Sequence, residues 1–269
     1  MYYRCNKNNI YYEINGQGQP IIFLHGFGGN HVIWNQQVEF FSKRGFKTIT
    51  LDYPGHGKTT GPSAKTINEL IDDICKFISD LNLNNCVLVG HSMGASVTWG
   101  LTERVDNNCF TINKIVTIDQ SPKMLSNNEW KYGFCDYNIQ NYLDRIANPI
   151  HIKETMNGLD QRVWKSLKEF KEKNPFDRNK NLALFEDHVK RDWRKTISKI
   201  DIPYMCVVAL NSPYFDYNFI HDLKNLKRDI NICVVKDTGH DIMAEKPDEF
   251  DSILNSFISN DTLDKEEEK

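Results

Sequence analysis

The pentapeptide Gly90-His91-Ser92-Met93-Gly94 constrains what this chain can fold into more than any other stretch of it. Before it runs Cys86-Val87-Leu88-Val89, apolar and partly β-branched, the composition of a buried strand. After it, residues 95–105 contain no proline, and Ala95, Val97, Trp99 and Leu101 alternate with small or polar residues. Length and flanks predict a helix there. A strand that turns directly into a helix at G-x-S-x-G forces the backbone at Ser92 into a strained conformation. Glycines on either side remove side chains that would collide across the turn. The serine hydroxyl then stands beyond the end of the sheet, and the free N–H groups of the helix start lie behind it, ready for negative charge. The stretch reads as a turn built to present a nucleophile.

The chain has 269 residues, enough for one sizeable domain or a domain with an insertion. Its net charge of −3 gives no reason to expect nucleic acid or an anionic membrane as partner. Seven cysteines, an odd number without any C-x-x-C pair, fit a reducing compartment, and a cytoplasmic location is expected. The N-terminal Met1-Tyr2-Tyr3-Arg4-Cys5-Asn6 has no apolar signal segment, and no apolar run is long enough to span a membrane. Nothing in the sequence specifies an oligomeric state.

Strand-like and helix-like segments alternate along the first 123 residues. Residues 9–15 and 20–24 are expected to be strands joined by Gly16-Gln17-Gly18 as an edge hairpin. Residues 32–43 predict a helix and 46–51 a strand. Apolar residues at Ile67, Leu70, Ile71, Ile74, Phe77, Ile78 and Leu81 have helical spacing with one buried stripe. Residues 114–118 form the next strand and deliver Asp119. The alternation predicts an α/β fold, a mostly parallel central sheet with helices on both faces. The pattern then changes. Residues 124–192 carry many aromatics, no convincing strand, and predicted helices at 138–147, 160–173 and 182–190. That is too long for one crossover, so it is expected to be a helical cap on a core formed by 1–123 and 193–260. Strands resume at 202–210 and 231–235, a helix starts near Pro247, and the charged stretch 261–269 is expected to be a disordered tail.

Four segments in this order resemble the α/β-hydrolase fold family over nearly the whole chain. They are His25-Gly26-Phe27-Gly28-Gly29, Asp52-Tyr53-Pro54-Gly55-His56-Gly57, the Ser92 pentapeptide, and Gly239-His240 followed by Glu245-Lys246-Pro247. The resemblance implies a serine esterase, with carboxylesterases and the methyl ester esterases of pimeloyl carrier protein among similar members. Ser92 would be the nucleophile and His240 its base, since serine needs its proton removed. By the same resemblance, the backbone N–H groups of Phe27 and Met93 would form the oxyanion hole. His25 and His56 are expected to hold loops, and His91 to face away from the chemistry.

The acid that orients His240 has two candidates. In the family it usually follows the strand at 204–210, where this chain has Ser212 at the aligned position and Asp216 a little later. Some members carry it one strand earlier, which is Asp119, and Asp119 is preferred because a strand end holds it rigidly. His31, Trp130 and Trp164 are expected to line the substrate pocket, and an apolar group on a small ester substrate is expected from the aromatic cap. No metal or organic cofactor is required by this chemistry. Gly55-His56-Gly57-Lys58-Thr59 ends like a phosphate-binding loop, but Asp52 occupies the position of its first glycine. Carbon–carbon bond hydrolysis, cofactor-free peroxidation and a non-catalytic receptor role remain open on the same residues.

Overall fold

In the computed structural model, which describes residues 1–105 and 110–259, alternation of side chains along the central strands sends their residues to two separate cores. The strands are β1 (Tyr2–Cys5), β2 (Asn8–Asn15), β3 (Gln19–Leu24), β4 (Phe46–Leu51), β5 (Cys86–His91), β6 (Ile112–Ile118), β7 (Tyr204–Ala209) and β8 (Asn231–Val235). They lie in the order β1-β2-β4-β3-β5-β6-β7-β8. β2 is antiparallel to its neighbours β1 and β4, and all other pairs are parallel. In β3, Ile22 and Leu24 join one core while Ile21 and Phe23 join the other, and β5 and β7 divide in the same way. The expected tail at 261–269 lies outside the described residues.

The helices are α1 (Asn35–Ser42), α2 (Ile67–Asp80), α3 (Met93–Thr102), α4 (Tyr142–Ala147), α5 (Gln161–Lys173), α6 (Leu182–Lys190), α7 (Arg194–Ile197), α8 (Phe219–Leu226), α9 (Ile242–Glu245) and α10 (Pro247–Ser259). One face of the sheet is covered by Leu70, Ile74 and Phe77 of α2, Val97, Trp99 and Leu101 of α3, and Phe219 and Leu223 of α8. The other is covered by Phe41 of α1 and Phe250, Leu254 and Ile258 of α10, with Val163, Leu167 and Phe170 of α5 in the same cluster. Helix α2 starts where Thr66 Oγ1 accepts a hydrogen bond from Glu69 N at 3.2 Å, a cap that the sequence spells as T-x-x-E. Among the described residues, no helix is long and apolar enough to cross a membrane.

The expected hairpin between residues 9–15 and 20–24 does not form. β4 lies between β2 and β3, and the hairpin is instead β1–β2, turning at Asn6-Lys7. The glycines belong to a crossing. A Cβ at Gly16 would lie 2.3 Å from the carbonyl oxygen of Phe46, and one at Gly18 2.0 Å from that of Gly45. The loop must pass tightly over the entry to β4, and only glycine permits that approach. The predicted helix at 32–43 is split into a 3-10 turn, His31–Trp34, and α1.

β3 lies between β4 and β5, so the chain leaves it towards one side and later returns on the other. Loops diverge at such a reversal and leave a crevice at the carboxyl ends of the strands. Segments 25–29, Ser92, Asp119 and His240 all follow carboxyl ends of parallel strands, at or next to this crevice. Residues 124–192 add no strand to the sheet. Their two ends are pinned together by a bridge between Lys123 and Asp192 and by Trp193 N donating to the Pro122 carbonyl at 2.8 Å.

Candidate active site

Ser92 has φ 53° and ψ −120°, a conformation side chains disfavour, between the last residue of β5 and the first of α3. It is held there by its N–H, which donates to the Ile118 carbonyl at 3.0 Å. The flanking glycines are obligatory. A Cβ on Gly90 would sit 2.2 Å from Gly94 O, and a Cβ on Gly94 2.2 Å from Leu24 O. Helix α3 is buried from Met93 to Leu101, so the positive end of its dipole faces a water-poor space next to Ser92.

Asp119 stands at the end of β6 with φ 45°, which aspartate tolerates better than most residues. Its carboxylate is buried and fully engaged. Oδ1 accepts from Ala209 N at 3.0 Å, and Oδ2 accepts from Ser212 Oγ at 2.6 Å and from His240 Nδ1 at 2.7 Å. This contact leaves Nε2 as the free nitrogen of the imidazole. Burial alone would lower the pKa of His240, but the hydrogen bond and charge of Asp119, joined by Asp241 and Glu154, raise it above the ordinary value. Ser92 and His240 line one cavity without a direct hydrogen bond between their side chains among the described residues. Such bonds are often long or misaligned before substrate binds.

The His240 loop is fastened by residues 154–160. His240 N donates to the Glu154 carbonyl at 2.7 Å, and Asp160 N to the Ala244 carbonyl at 2.9 Å. Glu245 forms the clasp: its buried carboxylate accepts from Gly239 N at 3.1 Å, Met156 N at 3.0 Å and Asn157 N at 2.6 Å. Tyr214 sets its ring edge-on to His240 at 4.7 Å and donates its hydroxyl to Glu154 Oε1 at 2.8 Å. Beside it, burial and Glu154 raise the Asp241 carboxyl to about 6.

The segment after β3 is fixed by His25. Its Nδ1–H donates to the Gly26 carbonyl at 2.7 Å and its Nε2 accepts from Tyr53 N at 3.3 Å, a pattern only the neutral ring can make. Burial lowers its pKa to about 4, consistent with that state. The N–H groups of Phe27 and Met93 make no hydrogen bond among the described residues, and Phe27 lines the cavity. That cavity has a volume of about 930 Å³. Phe27, Phe134, Phe176 and Phe185 form an aromatic wall, with Phe27 and Phe185 rings 4.7 Å apart. Among the described residues no cluster of three or more histidine, cysteine or acidic side chains is arranged to hold a metal ion.

A family model described as alpha/beta hydrolase fold matches residues 19–247. The chain belongs to that family. An alpha/beta hydrolase superfamily protein of Bacillus subtilis is 22% identical over 255 residues, covering 92% of this chain and 94% of that one. A diacylglycerol lipase of Xenopus laevis is 23% identical and covers 90% of this chain and 80% of the lipase. A methylformamido-methylene succinate hydrolase of Acinetobacter baylyi is 37% identical, but over 98 residues, so the chain spans only 37% of that relative. Among solved structures, an esterase from Exiguobacterium antarcticum superposes with a TM-score of 0.81 at 18% identity, covering 94% of this chain and 96% of that one. At this identity the likeness shows the fold.

In this α/β hydrolase, two residues expected in the pocket lie elsewhere. His31 is buried beneath the loops, with Nδ1 2.9 Å from both Asp52 oxygens and Nε2 3.4 Å from Glu13. The Asp52 of the D-x-x-G-x-G segment captures it, and Asp52 also accepts from Lys58 N at 2.8 Å, so the cluster braces loops. Trp130 is likewise buried away from the cavity, its Nε1 donating to Ser121 Oγ at 3.0 Å, because a large indole anchors the start of the 124–192 segment. Trp164 is half exposed on α5 and does line the cavity. Asp216 is exposed and accepts from Asn218 N at 2.9 Å at the start of α8, away from His240.

His91 does not face away from the site. Its ring lies 4.5 Å from that of His240, and its Nε2–H donates to the His240 carbonyl at 3.1 Å. Burial, then the nearby His240, pushes its pKa well below the ordinary value, so it packs as a neutral ring. Arg145, Lys171 and Arg178 of the cavity wall and the clasp at Glu245 are not among the residues expected at the site. The H-x-x-x-x-E spacing of His240 and Glu245 carried a signal for the clasp; nothing in the local sequence marks the arginines.

Proposed function

We propose that this hydrolase cleaves carboxylic esters through an acyl-enzyme intermediate formed on Ser92. His240 Nε2 takes the Ser92 hydroxyl proton as Oγ attacks the acyl carbon. Asp119 holds the Nδ1–H and stabilises the imidazolium that forms. Negative charge on the carbonyl oxygen falls to the N–H groups of Met93 and Phe27. The intermediate collapses, and the departing alcohol takes the proton from His240. Water then repeats the sequence, with His240 as base again, and releases the acid and free Ser92.

The observation that carries this reading is the 2.7 Å contact of His240 Nδ1 with Asp119, in a cavity that Ser92 shares. It is supported by relatives named as lipases and esterases, including a pimeloyl-carrier-protein methyl ester esterase of Vibrio cholerae at 27% identity over 122 residues. Residues 124–192 would act as a cap that sets entry and chain-length choice, with Trp164 at the rim. The six described cysteines are free thiols, which supports a reducing, cytoplasmic setting. The test is turnover of activated acyl esters of graded length, with a pre-steady-state burst from acyl-enzyme formation. Parental turnover by Ser92→Ala would refute it.

A further inference from the structure

The chain carries a net charge of −3, yet the wall of its cavity holds more cations than its carboxylates neutralise. Arg145, Lys153, Lys171 and Arg178 line it, against Asp136, Glu154 and Asp241. Asp136 pairs with Arg145, and Glu154 accepts the Tyr214 hydroxyl. Arg178 has no carboxylate partner among the described residues. One of its terminal nitrogens donates to the Ile146 carbonyl at 2.8 Å, and its other donors have no partner among those residues. That bond ties the guanidinium to α4, which also carries Arg145, whose Nε is buried without a hydrogen-bond partner. The Arg178 Cζ lies 5.6 Å from the Phe185 ring, and Phe185 is 4.7 Å from Phe27, which lines the same cavity as Ser92. An arginine fork thus shares a cavity with Ser92 and His240, with Phe185 and Phe27 in the same wall.

A half-buried arginine that lacks a carboxylate and lines a substrate cavity is suited to bind one from outside. The planar fork can take two carboxylate oxygens at once, which fixes the ligand's orientation as well as its charge. We propose that the cavity is built for esters that carry a carboxylate at the end remote from the scissile bond. The anion is held by Arg178, with Arg145 in the same wall, and a short apolar spacer lies along Phe185. This rests on the esterase reading above and adds the substrate class to it.

The test compares length-matched esters: monomethyl adipate against dimethyl adipate, and 6-acetoxyhexanoate against hexyl acetate. The first pair puts the charge on the acyl side and the second on the alcohol side. The expected result is a kcat/KM preference for the charged member of at least one pair, roughly 10–100-fold, the contribution of a charge-assisted hydrogen-bonded pair. The preference should shrink as salt is raised. Arg178→Gln should bring the charged-to-neutral ratio close to one, and Arg178→Lys should restore part of it.

Binding is read separately from turnover by calorimetric titration of Ser92→Ala with monomethyl and dimethyl adipate. The charged ester should bind more tightly, and Ser92→Ala/Arg178→Gln should lose the difference while keeping the parental Tm. Ratios near one in both ester pairs, with Ser92-dependent turnover intact, would overturn the anion site and leave the esterase reading standing. Absence of turnover on every ester, with the binding difference present, would overturn the esterase reading and keep the anion site. Equal binding of the two adipates would overturn the anion site whatever the turnover.

Discussion

Asp119→Asn should disable the enzyme without unfolding it, and the reason can be worked from three hydrogen bonds. Asn and Asp have nearly the same shape, but the amide has one acceptor oxygen and one donor nitrogen. Ala209 N is a backbone donor fixed by the pairing of β7, so the amide oxygen must stay at the Oδ1 position, where it accepts at 3.0 Å. The NH2 group then occupies the place of Oδ2, facing Ser212 Oγ and His240 Nδ1. Ser212 can adapt, because a hydroxyl both donates and accepts. His240 adapts only by moving its proton to Nε2, the atom that must accept the Ser92 proton. The variant therefore stabilises the unproductive tautomer. In the serine-protease precedent this costs about 10⁴ in kcat. A drop on the order of 10²–10⁴ is expected here, about 3–5 kcal/mol of transition-state stabilisation. Steady-state kinetics on an activated ester gives kcat, and a thermal melt reports folding. A kcat within a few-fold of the parent would refute the assignment of Asp119. The companion variant Asp216→Asn should stay near the parental rate, since that side chain accepts from Asn218 ahead of α8 and not from His240.

Three further outcomes follow from the site. The pKa of His240 lies above its ordinary 6.5, and only the neutral ring can act as base, so kcat/KM should fall as pH drops through that raised value. Asp119, His91, Asp241, Glu154 and Tyr214 surround the ring. Glu154→Gln removes one charge that raises the pKa and should move the acid limb to lower pH, whereas an unmoved limb would show that Glu154 does not act on His240. By the same linkage, the raised pKa contributes stability that is complete below the unfolded value and is lost as pH rises through the folded one. Glu245→Ala leaves the N–H groups of Gly239, Met156 and Asn157 without their acceptor. It should lower kcat together with Tm by several degrees, and unchanged values of both would contradict the clasp. Gly94→Ala puts a Cβ 2.2 Å from Leu24 O and should cost about 3 kcal/mol. That is roughly 6–12 °C in a thermal melt, and a parental Tm would mean that the elbow has more room than its geometry allows.

Features written in local sequence were legible, and those made by chain crossings were not. The elbow could be read because strand, glycine, serine, glycine and helix are contiguous, and the geometry at Gly90 and Gly94 follows from them. α2 at Ile67–Asp80 could be read because its periodicity is long and regular, and β8 at Asn231–Val235 because it is a short β-branched apolar run. The Gly16–Gly18 turn could not. A tight glycine turn serves a hairpin and a crossing equally well, and only the insertion of β4 between β2 and β3 distinguishes them. The same limit explains the pocket. Trp130 and His31 carry residue types that line ligand sites, but each had a closer polar partner, Ser121 Oγ and Asp52. Conversely, Arg178 reaches the cavity because residues 124–192 fold back over the strand ends, and no short motif encodes that. Ser212, the position that the resemblance aligns with the acid, carries a hydroxyl instead, and that hydroxyl donates to the Asp119 carboxylate at the end of β6.

Ser92 as the nucleophile is the assignment on which every step above depends, and covalent labelling tests it directly. A fluorophosphonate should inactivate the protein with one adduct per chain. Peptide mapping should place the adduct on Ser92, and Ser92→Ala should take up no label and hydrolyse no ester while melting like the parent. An adduct on another residue, or a Ser92→Ala variant that still labels and turns over, would contradict the account.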